Sequence, residues 1–231
     1  MLRELINNFL ESISPFIVLL VLLAFRKHWK SMEFMKVLFF YYLCSSFILG
    51  IATYLAYVNV SSNIFWYNLQ GFCSLLILSL FYYRILKTNR NKKLVLFLSI
   101  AGAMGYVIIL FFFDDSITFN SAGYSIGSFL IILYSLLFLR EVFSFANKDP
   151  VHTEVTIWIV GALLTYFLSS FLIQVSYKYV TEFLTSAFKE KIKDSWLWGI
   201  NNVLYFLANM IVAINITRLP GFSASDDNKS G

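Results

Sequence analysis

The chain has 231 residues, of which 59% are hydrophobic, 19% aromatic and only 13% charged, with a formal net charge of +5. A soluble domain carries about 25% charged residues, so a water-facing surface built from this composition would expose large apolar patches. That excludes an ordinary soluble fold and makes lipid the expected solvent.

The first segment, "MLRELINNFLESISPFIVLLVLLAFRKHWK", has an uncharged run from Ser12 to Phe25. It ends in Arg26-Lys27-His28 and not in a small-residue cleavage site, so a retained span is expected in place of a cleaved signal peptide. The run is short of the roughly 20 residues a crossing needs, so the span is expected to begin near residue 9, drawing Glu11 toward the membrane boundary. Pro15 is expected to kink this span or to start its regular part.

No charge occurs between Lys36 and Arg84, which is too long for one span, and "NVSSN" at its middle is turn-forming. A helical hairpin with spans near 35–57 and 64–86 follows. Further spans are expected near 94–113, 118–139, 155–177 and 196–217. Runs such as "FIVLLVLLAF" do not alternate, which rules out membrane strands, and backbone groups in lipid must pair within their own segment. The expected fold is all-α: a polytopic seven-helix membrane bundle over residues 1–219. "YVTEFLTSAFKEKIKDSW" is amphipathic and is expected to lie on the outer surface or to extend span six (segment 179–195). The tail, 220–231, is polar and expected to be disordered.

Seven spans put the termini on opposite sides. Of the 18 basic residues, only Arg3, Lys178, Lys189, Lys191 and Lys193 fall on one of them. The other side is therefore expected to be cytoplasmic, with the N-terminus outside and the C-terminus inside, in a multi-pass membrane protein. The cluster "RILKTNRNKK" is then a juxtamembrane loop near anionic lipid, not a nucleic-acid site.

No enzymatic activity is expected. His28 and His152 fall in loops, so neither a metal site nor an activated serine is expected within the spans, and no cofactor is implied. Asp114 and Asp115 end span four and are expected to be solvated. Cys44 and Cys73 are expected to be buried free thiols. Gly123 and Gly127 have the spacing of a close helix contact.

Neutral amides are the informative feature. Asn202, Tyr205 and Asn209 share one helical face of "NNVLYFLANMIVAIN", with Asn201 beside them. Asn68 and Gln70 enter span three from the same outer side. Glu11, Asn68, Gln70, Tyr124, Gln174, Asn201, Asn202 and Tyr205 share an outer-half depth, with Asn209 below. Such amides either bond helix to helix, at about 0.6–2 kcal/mol each, or line a polar, aromatic cavity that takes a small or amphiphilic ligand. Span three is the expected partner of span seven, through Asn68 and Gln70. Asn215 is expected to be structural.

At "FYYRILKTNRNKK", "TIWIVGALLTYFLSSFLIQ" and "LWGINNVLYFLANMIVAINI" the chain resembles a group of small bacterial seven-helix membrane proteins. Gln70 stands where that pattern has an acid, so the resemblance implies no proton or cation role there. Related seven-helix modules serve as sensory inputs to histidine kinases, which implies a receptor-like role with a separate cytoplasmic signalling partner. A facilitative transporter or channel, or an assembly subunit, are the alternatives. The first predicts solute flux and the second co-purification with a membrane complex.

Overall fold

The computed structural model describes residues 2–30, 32–58, 63–112, 120–144, 150–183 and 196–219. Among them it is entirely helical. The elements are α1 (Leu2–Ala24), α2 (Arg26–Trp29), α3 (Glu33–Val58), α4 (Ile64–Ile85), α5 (Asn89–Phe112), α6 (Ser121–Ser144), α7 (Pro150–Phe183) and α8 (Trp196–Thr217). Six of them, α3 to α8, are long and apolar enough to cross a membrane, while the apolar part of α1 is the shorter stretch Leu10–Ala24. The chain is thus an integral membrane protein of the multi-pass helical class.

Local sequence accounts for several boundaries. Pro150 opens α7, where a missing N–H costs nothing and φ is already helical. Asn120 caps α6: its Oδ1 accepts the Gly123 N–H at 2.6 Å. Gly123 is needed at that spot, since a Cβ there would sit 2.6–2.8 Å from the Asn120 amide. Of the Gly123/Gly127 pair, Gly123 serves the cap, while Gly127 is buried and faces Leu75 of α4 at the distance of a helix contact. Trp29 folds back so that its Nε1–H donates to the Leu22 carbonyl at 2.7 Å, answering one of the last carbonyls of α1. Pro15 is accommodated inside α1.

The helix ends depart from expectation in two places. α1 starts at Leu2, well before residue 9, because Arg3 and Glu4 depress hydropathy without opposing helix formation. α7 runs on for 34 residues to Phe183, so the start of the amphipathic segment continues span six. The rest of that segment, Asp114 and Asp115, the "VSS" turn and the tail lie outside the described residues.

Packing order differs from chain order. α1 packs on α3, α3 on α4, α4 on α6, α6 on α7, α7 on α8, and α8 on α1. These six helices close a ring. α5 lies outside it, against α4 and α6. One end of the ring is filled by an apolar core that includes Val18, Leu22, Leu38, Phe81, Ile131, Ile159, Val212 and Ile216. Most of its polar groups are paired, as in Tyr82 with Ser135 at 2.6 Å and Ser99 with Tyr134 at 3.0 Å, while the Asn215 Oδ1 has no partner. Large apolar side chains cover the outside, among them Phe47, Phe97, Phe111 and Leu172. A surface of this kind is what lipid contact requires.

Candidate functional site

The other half of the ring is not filled. At the end where α3 stops and α4 starts, it surrounds a partly open cavity of about 370 Å³, a size suited to a small organic molecule. All six ring helices line it and α5 does not. Glu11 comes from α1, Tyr41 and Leu49 from α3, and Tyr67, Gln70, Gly71, Ser74 and Leu75 from α4. Tyr124, Gly127, Ser128 and Ile131 come from α6, Tyr166, Phe167, Ser170 and Gln174 from α7, and Asn201, Asn202 and Tyr205 from α8.

Seven of the nine residues singled out from the sequence meet here: Glu11, Gln70, Tyr124, Gln174, Asn201, Asn202 and Tyr205. Asn68 and Asn209 do not line the cavity. Asn68 is two positions from Gln70, about 200° around the helix, so the two side chains leave α4 on opposite sides. The Asn68 Oδ1 accepts the Asn120 N–H at 3.0 Å, and its backbone carbonyl accepts the Tyr106 hydroxyl at 2.8 Å. It fastens the start of α6 and the outlying α5 to α4. Asn209 lies seven residues beyond Asn202, about 10 Å further along the axis, where the apolar core has begun. Its Oδ1 accepts from Tyr42 at 3.1 Å and its Nδ2 donates to Ser14 at 2.8 Å, joining α3, α8 and α1. Asn215, deeper still, donates to its own Ile211 carbonyl at 2.8 Å.

Span three is not the packing partner of span seven. α4 and α8 face each other across the cavity, and Gln70 donates instead to Ser45 at 2.8 Å and Ser74 at 3.2 Å. α8 is gripped by α1 and α7.

The lining is aromatic and polar together. The Tyr67 hydroxyl donates to the Glu11 carboxylate at 3.2 Å, and the Tyr124 hydroxyl donates to the Tyr67 carbonyl at 2.6 Å. Tyr166 and Tyr205 pack with their rings tilted by 49° at a centroid distance of 4.8 Å. Gly71 makes room for the Tyr124 ring, because a Cβ at that position would lie 2.5 Å from it. Several buried oxygens of lining residues meet no protein partner: Gln70 Oε1, Gln174 Oε1, Asn201 Oδ1 and Ser128 Oγ. Tyr205 Oη also lacks hydrogen-bond geometry, although Tyr41 and Asn209 lie close to it. Buried polar groups are normally paired, so a cluster of unanswered oxygens around one void is the site's distinguishing property.

The tyrosines Tyr41, Tyr67 and Tyr166 were not predicted as cavity residues, nor were Ser128 and Ser170. In sequence they are indistinguishable from the tyrosines and serines that fill the core. Cys44 and Cys73 are both free thiols. Among the described residues no cluster of His, Cys, Asp or Glu has the makings of a metal site.

Comparison with known protein families, with curated proteins and with solved structures finds no match. The fold and cavity define the class on their own: a multi-pass helical membrane protein with a partly open polar-aromatic pocket in one half of its bundle.

Proposed function

We propose that the chain is a seven-span, non-catalytic, receptor-like protein that binds a small ligand in the ring cavity. In this reading α1 is a seventh span. Its support is that α1 closes the ring between α3 and α8 and turns Phe16, Leu20 and Leu23 outward, as a lipid-facing helix would. The asymmetry of basic residues puts the cavity end outside and the α4–α5 connection in the cytoplasm. The resemblance to seven-helix sensory modules fits a cytoplasmic signalling partner on the basic loops.

The observation that carries the proposal is the coincidence of a closed helix ring, a small-molecule-sized void and unpaired oxygens on four different lining residues. An apolar core would have been simpler to pack there. Leaving polar groups unanswered costs about 1–3 kcal/mol each, an expense that an incoming partner recovers. A facilitative transporter is the second reading. Against it stands the packed apolar half below the cavity, which interrupts any path through the ring.

The test is thermal unfolding of the purified chain in detergent against a small-molecule library, with solute flux into proteoliposomes run beside it. Stabilisation by a ligand without flux supports the receptor reading. Flux of the stabilising ligand replaces it with transport. Stabilisation by nothing, without flux, defeats both.

A further inference from the structure

Among the described residues that line the cavity, Glu11 alone carries a formal charge, and none is a lysine, arginine or histidine. Among the described residues its carboxylate has one partner, the Tyr67 hydroxyl at 3.2 Å. A carboxylate has room for about four hydrogen bonds, and a buried charge is costly unless paired. The aromatic side chains Tyr41, Tyr67, Tyr124, Tyr166, Phe167 and Tyr205 stand around the same void. Aromatic faces attract cations, most strongly where water is excluded.

The unpaired atoms have a bias as well. Gln70 spends its amide N–H groups on Ser45 and Ser74 and leaves its oxygen unanswered. Gln174 and Asn201 each leave an oxygen unanswered too. These residues are 7%, 1% and 6% exposed, so bulk water does not serve them. These three amide oxygens can only accept, whereas the unanswered Ser128 and Tyr205 hydroxyls can donate as well as accept. An anion would meet a carboxylate and three carbonyl oxygens. A guest with several N–H groups and a positive charge meets all of them favourably.

Resting on the reading of the cavity as a binding site, we infer that its guest is an organic ammonium ion bearing N–H groups, with Glu11 as counter-ion. The amide oxygens of Gln70, Gln174 and Asn201 accept its protons and the aromatic ring faces surround its carbon frame.

The experiment uses the full chain in nanodiscs with three probes of one shape: phenethylamine, the neutral 2-phenylethanol and the anionic phenylacetate. Phenethylamine is expected to raise the unfolding temperature, and the other two to bind about 10- to 100-fold more weakly, the range of one or two charge-assisted hydrogen bonds. Glu11→Gln is expected to remove that preference. Equal binding of 2-phenylethanol, preference for phenylacetate, no response to phenethylamine, or an unchanged preference in Glu11→Gln each overturns the inference. Should the variant fold poorly, the contrast among probes on the native chain decides alone. Binding of the neutral or anionic probe would sink the ammonium guest and leave the binding cavity standing. Silence from all three probes and from the wider library would sink both.

Discussion

Glu141 accepts more hydrogen bonds than any other carboxylate among the described residues, and its replacement should loosen the connection between α4 and α5. It sits near the end of α6, only 7% exposed, and reaches across to the connection between α4 and α5. Its Oε2 accepts the Lys87 N–H at 2.8 Å, and its Oε1 accepts the Thr88 N–H at 3.1 Å and the Asn91 Nδ2 at 2.7 Å. Two of these donors are backbone groups just ahead of α5, where no helix partner exists for them. Hydrogen bonds to a charged group are worth about 1.5–3 kcal/mol each, but they are not additive, and water at the bundle end replaces part of what is lost. Glu141→Ala should therefore cost about 2–4 kcal/mol. Glu141→Gln should cost about 1–2 kcal/mol, because the amide keeps one acceptor oxygen and turns its N–H₂ toward a donor. Thermal unfolding in mild detergent, with hydrogen exchange at Lys87 and Thr88, measures both the loss and its location. A Glu141→Ala protein that melts within about 1 °C of the native chain, with unchanged exchange at those two amides, would refute the clamp.

The remaining predictions separate packing from binding. Asn209→Leu should lower stability by about 1–2 kcal/mol through loss of the Tyr42 and Ser14 bonds, yet leave the ligand-induced thermal shift intact, since Asn209 lies below the cavity. Gly71→Ala should cost about 1–3 kcal/mol and weaken ligand stabilisation by displacing the Tyr124 ring, whereas Gly127→Ala, whose Cβ meets only Leu75 at 3.8 Å, should fold normally in the same melting assay. Ser128→Ala should be neutral or slightly stabilising without ligand, because it removes an unanswered hydroxyl, while Ser135→Ala should destabilise by about 1 kcal/mol through its lost Tyr82 bond.

Span positions were legible because hydropathy and charge placement follow directly from the solvent. Each of the six long helices overlaps an expected run, α4 at Ile64–Ile85 against 64–86 and α8 at Trp196–Thr217 against 196–217, while α5 starts five residues early, α6 ends five late and α7 overruns both ends of its run. Polar cavity residues were legible in part, because amides at one depth in several spans either bond helix to helix, as Asn68 and Asn209 do, or line a shared void. Two errors came from treating depth without angle, or angle without depth. Asn68 has the depth of Gln70 but the opposite azimuth. Asn209 has the azimuth of Asn202 but lies about 10 Å further along. Neighbour order was legible only for α5. It is the most apolar of the six long helices, with a mean hydropathy of 2.5 against 1.5–1.9, as suits a helix outside the ring that faces lipid on most sides. Glu141 went unnoticed because a carboxylate after an apolar run usually marks solvent, and only the fold brings the α4–α5 backbone beneath it.

The contact of α1 with α8 also bears on how this protein comes into being. These are the first and last helices described, and their junction closes the ring. During synthesis every earlier helix can find a neighbour, but the enclosure stays open until α8 arrives. Contacts so distant in sequence form late, because the chain between them must be ordered before they are gained. Until then Glu11 and Ser14 on α1 lack the α8 side of their enclosure. Assembly therefore carries a built-in checkpoint. A chain truncated before α8 would present an unfinished polar seam within the bilayer, the kind of exposed surface that quality-control proteases and chaperones recognise.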